Sequence, residues 1–162
     1  MRSFAPLSFL VLLLLGLLGA CDESARQSTQ STSLANPAAT AAVAEDQRWY
    51  SQAQVETGTV IFSDNCAICH GVQAQGLTEN WRQRLPDGNF PAPPLNGSAH
   101  AWHHPLSQLL QTVTAGGVPY GGQMPPFGEA LSDDDKLAAI AYFQSFWDEE
   151  IYLGWLDLGG LD

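Results

Sequence analysis

Basic side chains are scarce in this chain. Its 162 residues carry 6 Lys and Arg against 17 Asp and Glu, a formal net charge of −11. That sign excludes nucleic acid as a natural partner and favours a partner with a basic docking face, an encounter that salt slows. Cysteine is nearly absent too, with three residues at positions 21, 66 and 69. Only one Cys-x-x-Cys occurs, so a four-ligand zinc site has no ligand set. No βαβ pattern accompanies that pair, which removes a thioredoxin-like redox site. Methionine is reduced to the initiator and Met124. The one long apolar run, residues 9–18, is shorter than the roughly 20 residues a transmembrane helix needs.

That run has the form of a secretory leader. Arg2 precedes it, and small residues lead into Cys21. Leu18-Gly19-Ala20-Cys21 resembles a bacterial lipobox. The resemblance implies cleavage after residue 20 and lipidation of Cys21, on the periplasmic side of a membrane. An ordinary leader followed by a chance cysteine is the alternative. Asp22 resembles an inner-membrane retention signal. Removal of residues 1–20 takes away Arg2 and no acid, so the net charge moves from −11 to −12. Residues 21–48 are rich in Ser, Thr, Gln and Ala, with no large apolar cluster. Such a segment buries too little surface to offset its ordering entropy and is expected to be a flexible tether. A coil of that length averages roughly 30 Å end to end. A short helix within residues 37–45 is the competing possibility.

The residues present are organised around Cys66-Ala67-Ile68-Cys69-His70. Cys-x-x-Cys-His is the attachment signature of c-type haem. Each cysteine is expected to form a thioether to a haem vinyl group, and His70 to place an imidazole nitrogen on the iron. With Cys21 lipidated, all three cysteines are then used and no disulfide framework remains.

Helical periodicity brackets this motif. Val55, Thr59 and Phe62 form a stripe leading into it, with Gly58 among them. Ser132-Asp133-Asp134-Asp135 is a box-like start for a second helix, whose acids suit its positive end. Leu137, Ile140, Ala141, Phe143, Phe146 and Trp147 supply its apolar face, and its end is expected near Asp148. Residues 106–115 show a further stripe, closed by Gly116-Gly117.

Over about residues 50–147 the chain resembles a monohaem class I cytochrome c. The resemblance implies an all-α fold in which the N- and C-terminal helices cross around one covalent haem. Gly58 and Phe62 match the first-helix crossing positions, and Ile140-Ala141-Tyr142-Phe143 matches the last helix, with Tyr142 as the crossing aromatic; a frayed or loop position is the plain alternative for Gly58. Pro93-Pro94-Leu95-Asn96-Gly97 resembles the family's proline loop. By that match the Pro93 carbonyl accepts the other imidazole N–H of His70, with a one-residue ambiguity toward Pro94, and Leu95 touches the haem face. The Gly- and Pro-flanked stretch around Met124-Pro125-Pro126-Phe127 resembles the family's ligand loop, making Met124 the sixth ligand. The rival sixth ligands are His100, His103 and His104. These histidines also invite a second-metal reading, against plain turn residues. Trp102 either donates its indole N–H to a haem propionate or is an ordinary core tryptophan. The role of the long stretch 71–92 is open.

The domain is thus expected over residues 49–162, with the apolar segment 151–158 strapped back onto it or serving as a partner surface. The implied function is a membrane-tethered periplasmic one-electron carrier between a redox donor and an acceptor protein, not itself an enzyme. The alternatives are an electron-transfer subunit fixed in a larger oxidase or dehydrogenase, or a peroxidase or sensor with an open haem site.

Overall fold

A computed structural model describes residues 47–162. The leader, the Cys21 lipidation site and nearly all of the tether lie outside the described residues. Five α-helices form, and no strand occurs among the described residues: α1 (Gln52–Asn65), α2 (Ala67–His70), α3 (Leu106–Ala115), α4 (Asp133–Gln144) and α5 (Glu149–Asp157). The all-α expectation holds, and α3 has the bounds its periodicity predicts.

α1 starts where Ser51 and Gln54 close a capping box, each side chain accepting the other's backbone N–H. Its buried residues are Gly58 and Phe62. Thr59, expected on the inner stripe, is exposed and turns its hydroxyl back onto the Val55 carbonyl at 2.9 Å. A threonine can satisfy itself this way on a solvated face, so the buried seam runs through the glycine instead. There the backbone of α4 arrives. A Cβ on Gly58 would collide with the Ala138 carbonyl and stand 3.0 Å from the Tyr142 Cβ. Phe62 and Tyr142 then meet with ring centroids 5.0 Å apart. The helices cross as the family resemblance implies.

α4 opens on Ser132, whose hydroxyl oxygen accepts the Asp135 N–H at 3.1 Å while Asp135 accepts the Ser132 N–H. It ends at Gln144, earlier than expected. Phe146 therefore leaves the apolar face and is 37 % exposed, whereas Trp147 is buried. Asp148 belongs to the next helix: its carboxylate accepts the Ile151 N–H at 2.8 Å and caps α5. The three acids 148–150 sit at a positive helix start, where they stabilise, rather than at a negative helix end.

α5 packs back onto the domain. Tyr152 and Trp155 are buried. The Trp155 indole donates to the His104 carbonyl at 2.8 Å, and the Trp147 indole to the Leu95 carbonyl at 2.8 Å. The entering chain is tied to the same place. Trp49 donates its backbone N–H to the Tyr152 hydroxyl at 2.9 Å and its indole N–H to Gln144 at 2.5 Å.

Gly58→Ala is expected to destabilise the fold by about 1–3 kcal/mol, because overpacking at a backbone contact forces the helices apart. A urea titration checks this: the midpoint falls at unchanged slope.

Candidate cofactor site

The site begins at the end of α1. Cys66 caps that helix, donating its N–H to the Phe62 carbonyl at 2.8 Å, and at once starts α2. In this single turn Cys69 and His70 donate to the Cys66 carbonyl at 3.1 and 3.0 Å. Residues spaced by three and four share one helix face, so Cys66, Cys69 and His70 lie together. Cys66 is half-buried, Cys69 exposed and His70 buried. Burial first, then the neighbouring Cys69, push the Cys66 thiol up to about 11, so it is an uncharged thiol.

After His70 the chain reverses at Gly71, whose φ of +76° favours glycine. Ala74 follows in the left-handed region at φ +55°, fully buried. Its carbonyl accepts two N–H groups from the proline loop, Leu95 at 2.7 Å and Asn96 at 3.2 Å. This clamp brings the Pro93 carbonyl to 2.9 Å from Nδ1 of His70. A carbonyl only accepts, so Nδ1 carries the proton and the lone pair lies on Nε2. Burial lowers the His70 pKa, with the Pro93 bond opposing it, and the ring is neutral at pH 7. Half-buried Leu95 packs against the core beside this loop.

Met124 hangs on the end of α3. Its carbonyl accepts the Gly117 N–H at 2.9 Å, and Phe127 and Gly128 donate to the Val113 and Thr114 carbonyls at 3.0 and 3.1 Å. Gly116 lies at φ +78°, and a Cβ there would stand 2.6 Å from the Met124 carbonyl oxygen. No residue but glycine lets the methionine segment lie this close to the helix end. The Met124 side chain is half-buried.

The residues 100–104 form a turn rather than a ligand shell. His100 stacks on Trp81 with centroids 5.1 Å apart, and His104 meets it edge-on at 5.7 Å. Trp102 stacks on His103 at 3.8 Å. Burial, then His104, His103 and Arg82, lower the His100 pKa. Among the described residues, no three His, Cys, Asp or Glu side chains gather closely enough to hold a metal ion. Trp49, Trp147 and Trp155 each donate an indole N–H to a protein acceptor, whereas Trp102 has none among the described residues.

The stretch 71–92 supplies walls. Trp81, Arg82, Phe90 and Pro91, together with Pro93 and His100, line a cavity of about 340 Å³ adjoining the loop that holds His70. The clamp at Ala74 carries no sequence signal, since left-handed backbone is advertised by Gly or Asn and not by alanine.

The family described as cytochrome c oxidase, cbb3-type, subunit III, matches residues 53–143. The chain belongs to that family. It is 31% identical over 100 residues to a cbb3-type cytochrome c oxidase subunit FixP of Sinorhizobium medicae (strain WSM419), covering 58% of this chain and 30% of the relative. It is 35% identical over 85 residues to a FixP subunit of Azorhizobium caulinodans, covering 52% and 25%. A cbb3-type subunit CcoP of Azospirillum brasilense is 30% identical over 98 residues, covering 60% and 30%. The chain thus spans under a third of the length of these relatives. No solved structure matches it.

The fold is that of a class I cytochrome c, and the cytochrome c domain brings with it c-type haem and electron transfer. The residues fit that group: two cysteines and a neutral imidazole lie on one turn, and the imidazole's Nδ1–H is already satisfied.

Gly116→Ala is expected to push the Met124 backbone away from α3. The expectation that Met124 ligates the haem iron then predicts that a long-wavelength sulfur-to-iron band of the haem-loaded ferric protein weakens or vanishes, which an absorption spectrum reads directly.

Proposed function

We propose that this chain is a one-electron transfer subunit of a terminal oxidase. It carries a single c-type haem and is tethered to the periplasmic face of a membrane through a lipid on Cys21. The observation that carries this is the His70–Pro93 bond beside the two cysteines, in a segment matched to an oxidase subunit family. When bound, the haem supplies an iron that exchanges one electron and breaks no bond. Cys66 and Cys69 would hold it through thioethers. His70 would offer Nε2, with the Pro93 carbonyl holding the ring's orientation and raising its basicity. Met124 would supply a thioether ligand, which favours the reduced state and raises the potential. Leu95 would contact the group, and Trp102 would offer its indole N–H to a propionate.

An iron held by both the His70 imidazole and the Met124 thioether would keep no position for dioxygen or peroxide. That favours transfer over peroxidase or sensor chemistry. The exit would lie near exposed Cys69, where the neighbouring stretch of chain also exposes Ile68, Val72 and Leu77. An acidic chain suits a donor or acceptor with basic charge around its own apolar contact.

A tethered carrier moving freely between partners is the second reading, favoured by the lipobox-like residues and the polar segment after them. The relatives' printed names favour the fixed subunit. Mild detergent extraction followed by native gel electrophoresis with haem staining separates the two. Co-migration with oxidase activity is expected, and a band running alone at the chain's own size supports the free carrier.

The reduced protein is expected to show a c-type α band and to bind carbon monoxide slowly and incompletely at neutral pH. Rapid, complete binding overturns the filled-site reading. The rate of reduction by a basic partner is expected to fall as ionic strength rises, because screening shortens the reach of the acidic surface.

A further inference from the structure

Lys136 is the chain's single lysine, and its side chain is only 4 % exposed. Long charged side chains rarely bury themselves on a helix whose outer face is open to water. Removing an ammonium from solvent is unfavourable unless it is paired and hydrogen-bonded. Here it is both. Nζ lies 2.7 Å from the Asp133 carboxylate, one turn earlier on α4. It also donates to the Thr114 hydroxyl oxygen at 3.2 Å, in the last turn of α3. Asp133 is 80 % exposed, so half of the arrangement is in water and half in the protein.

Thr114 is where the methionine segment is fastened. Its carbonyl accepts the Gly128 N–H, and the preceding carbonyl, that of Val113, accepts the Phe127 N–H. Gly128 lies against it so closely that a Cβ would stand 3.1 Å from the Thr114 oxygen. Three residues on, Gly117 holds the Met124 carbonyl. α4 meanwhile is pressed onto α1, whose end carries Cys66. One continuous set of contacts therefore runs from the attachment turn through α1 and α4 to Lys136, then through Thr114 to Met124.

We infer that Lys136 is a positioning residue for Met124: its ammonium locks the end of α3 to α4 and so fixes how closely the thioether approaches the site shared with His70. The inference rests on Met124 being the sixth ligand. The bond from Nζ to Thr114 is made by side chains alone, so a substitution can cut it without moving a backbone contact.

The test uses the haem-loaded full chain. Lys136→Met keeps the length and apolar stem but removes the charge, Lys136→Arg keeps the charge, and Thr114→Val removes only the hydroxyl. The readouts are the ferric sulfur-to-iron band and the rate at which the ferrous protein binds carbon monoxide, which requires the thioether to leave. Lys136→Met and Thr114→Val are each expected to weaken the band and to raise the carbon monoxide rate about tenfold. The double variant is expected to go no further than Lys136→Met alone, because the Nζ–Thr114 bond is already lost there. Lys136→Arg is expected to recover part of the effect. Should Lys136→Met fail to fold, Thr114→Val carries the test. A band and rate unchanged in Thr114→Val, with the wild-type band present, overturn the latch and leave Met124 ligation standing. A wild-type protein with no such band overturns both.

Discussion

Everything in this domain is referred to one backbone contact, the place where Gly58 lets α1 lie against the Ala138 carbonyl of α4. Two helices can approach this closely only where one has no side chain, and the approach sets both their distance and their crossing. The end of α1 then delivers Cys66 into the attachment turn, and the start of α4 delivers Lys136 under α3. Phe62 and Tyr142 fill the space beside the glycine. The attachment turn follows directly on α1, and the Met124 segment hangs on α3, which Lys136 of α4 meets at Thr114.

Around His70 and along the segment after Met124, backbone carbonyls fix orientation, and the one charged side chain in the path is Lys136. Pro93 orients His70, Ala74 orients the Pro93 loop, and Thr114 and Val113 orient the segment after Met124. Carbonyl acceptors cannot ionise, so these bonds do not depend on the charge state of an acceptor side chain. That suits a centre meant to change charge by one electron without also binding or losing a proton. Relatives that share the domain are named as cbb3-type cytochrome c oxidase subunits.

What was legible in the sequence was chemistry that needs neighbours. Cys66, Cys69 and His70 must be close along the chain to share a turn, and Pro93 precedes a leucine at a family spacing. α3 was bounded correctly because its apolar stripe stops at two glycines. The misreadings have equally specific causes. Thr59 looked like part of the inner stripe because a threonine is half apolar, and its hydroxyl was free to bond the preceding turn. The end of α4 was hidden because apolar residues continue through Phe146 and Trp147. Asp148-Glu149-Glu150 held the missing signal, since three acids suit the start of a helix and not its end. Ala74 and Lys136 were invisible for another reason. Their roles are set by what the fold brings near them, an N–H pair in one case and a threonine 22 residues upstream in the other.

Arg48 and Trp49 join the domain at the junction of α4 and α5, with the Arg48 guanidinium on the Trp147 carbonyl and over the Tyr152 ring. Mechanically, this is a load path. Tension entering through residues before Arg48 is taken up by bonds to Trp147, Gln144 and Tyr152 before it reaches α1. The turn carrying Cys66, Cys69 and His70 lies at the far end of that helix, so force applied at Arg48 would load the α4–α5 junction before it reached that turn.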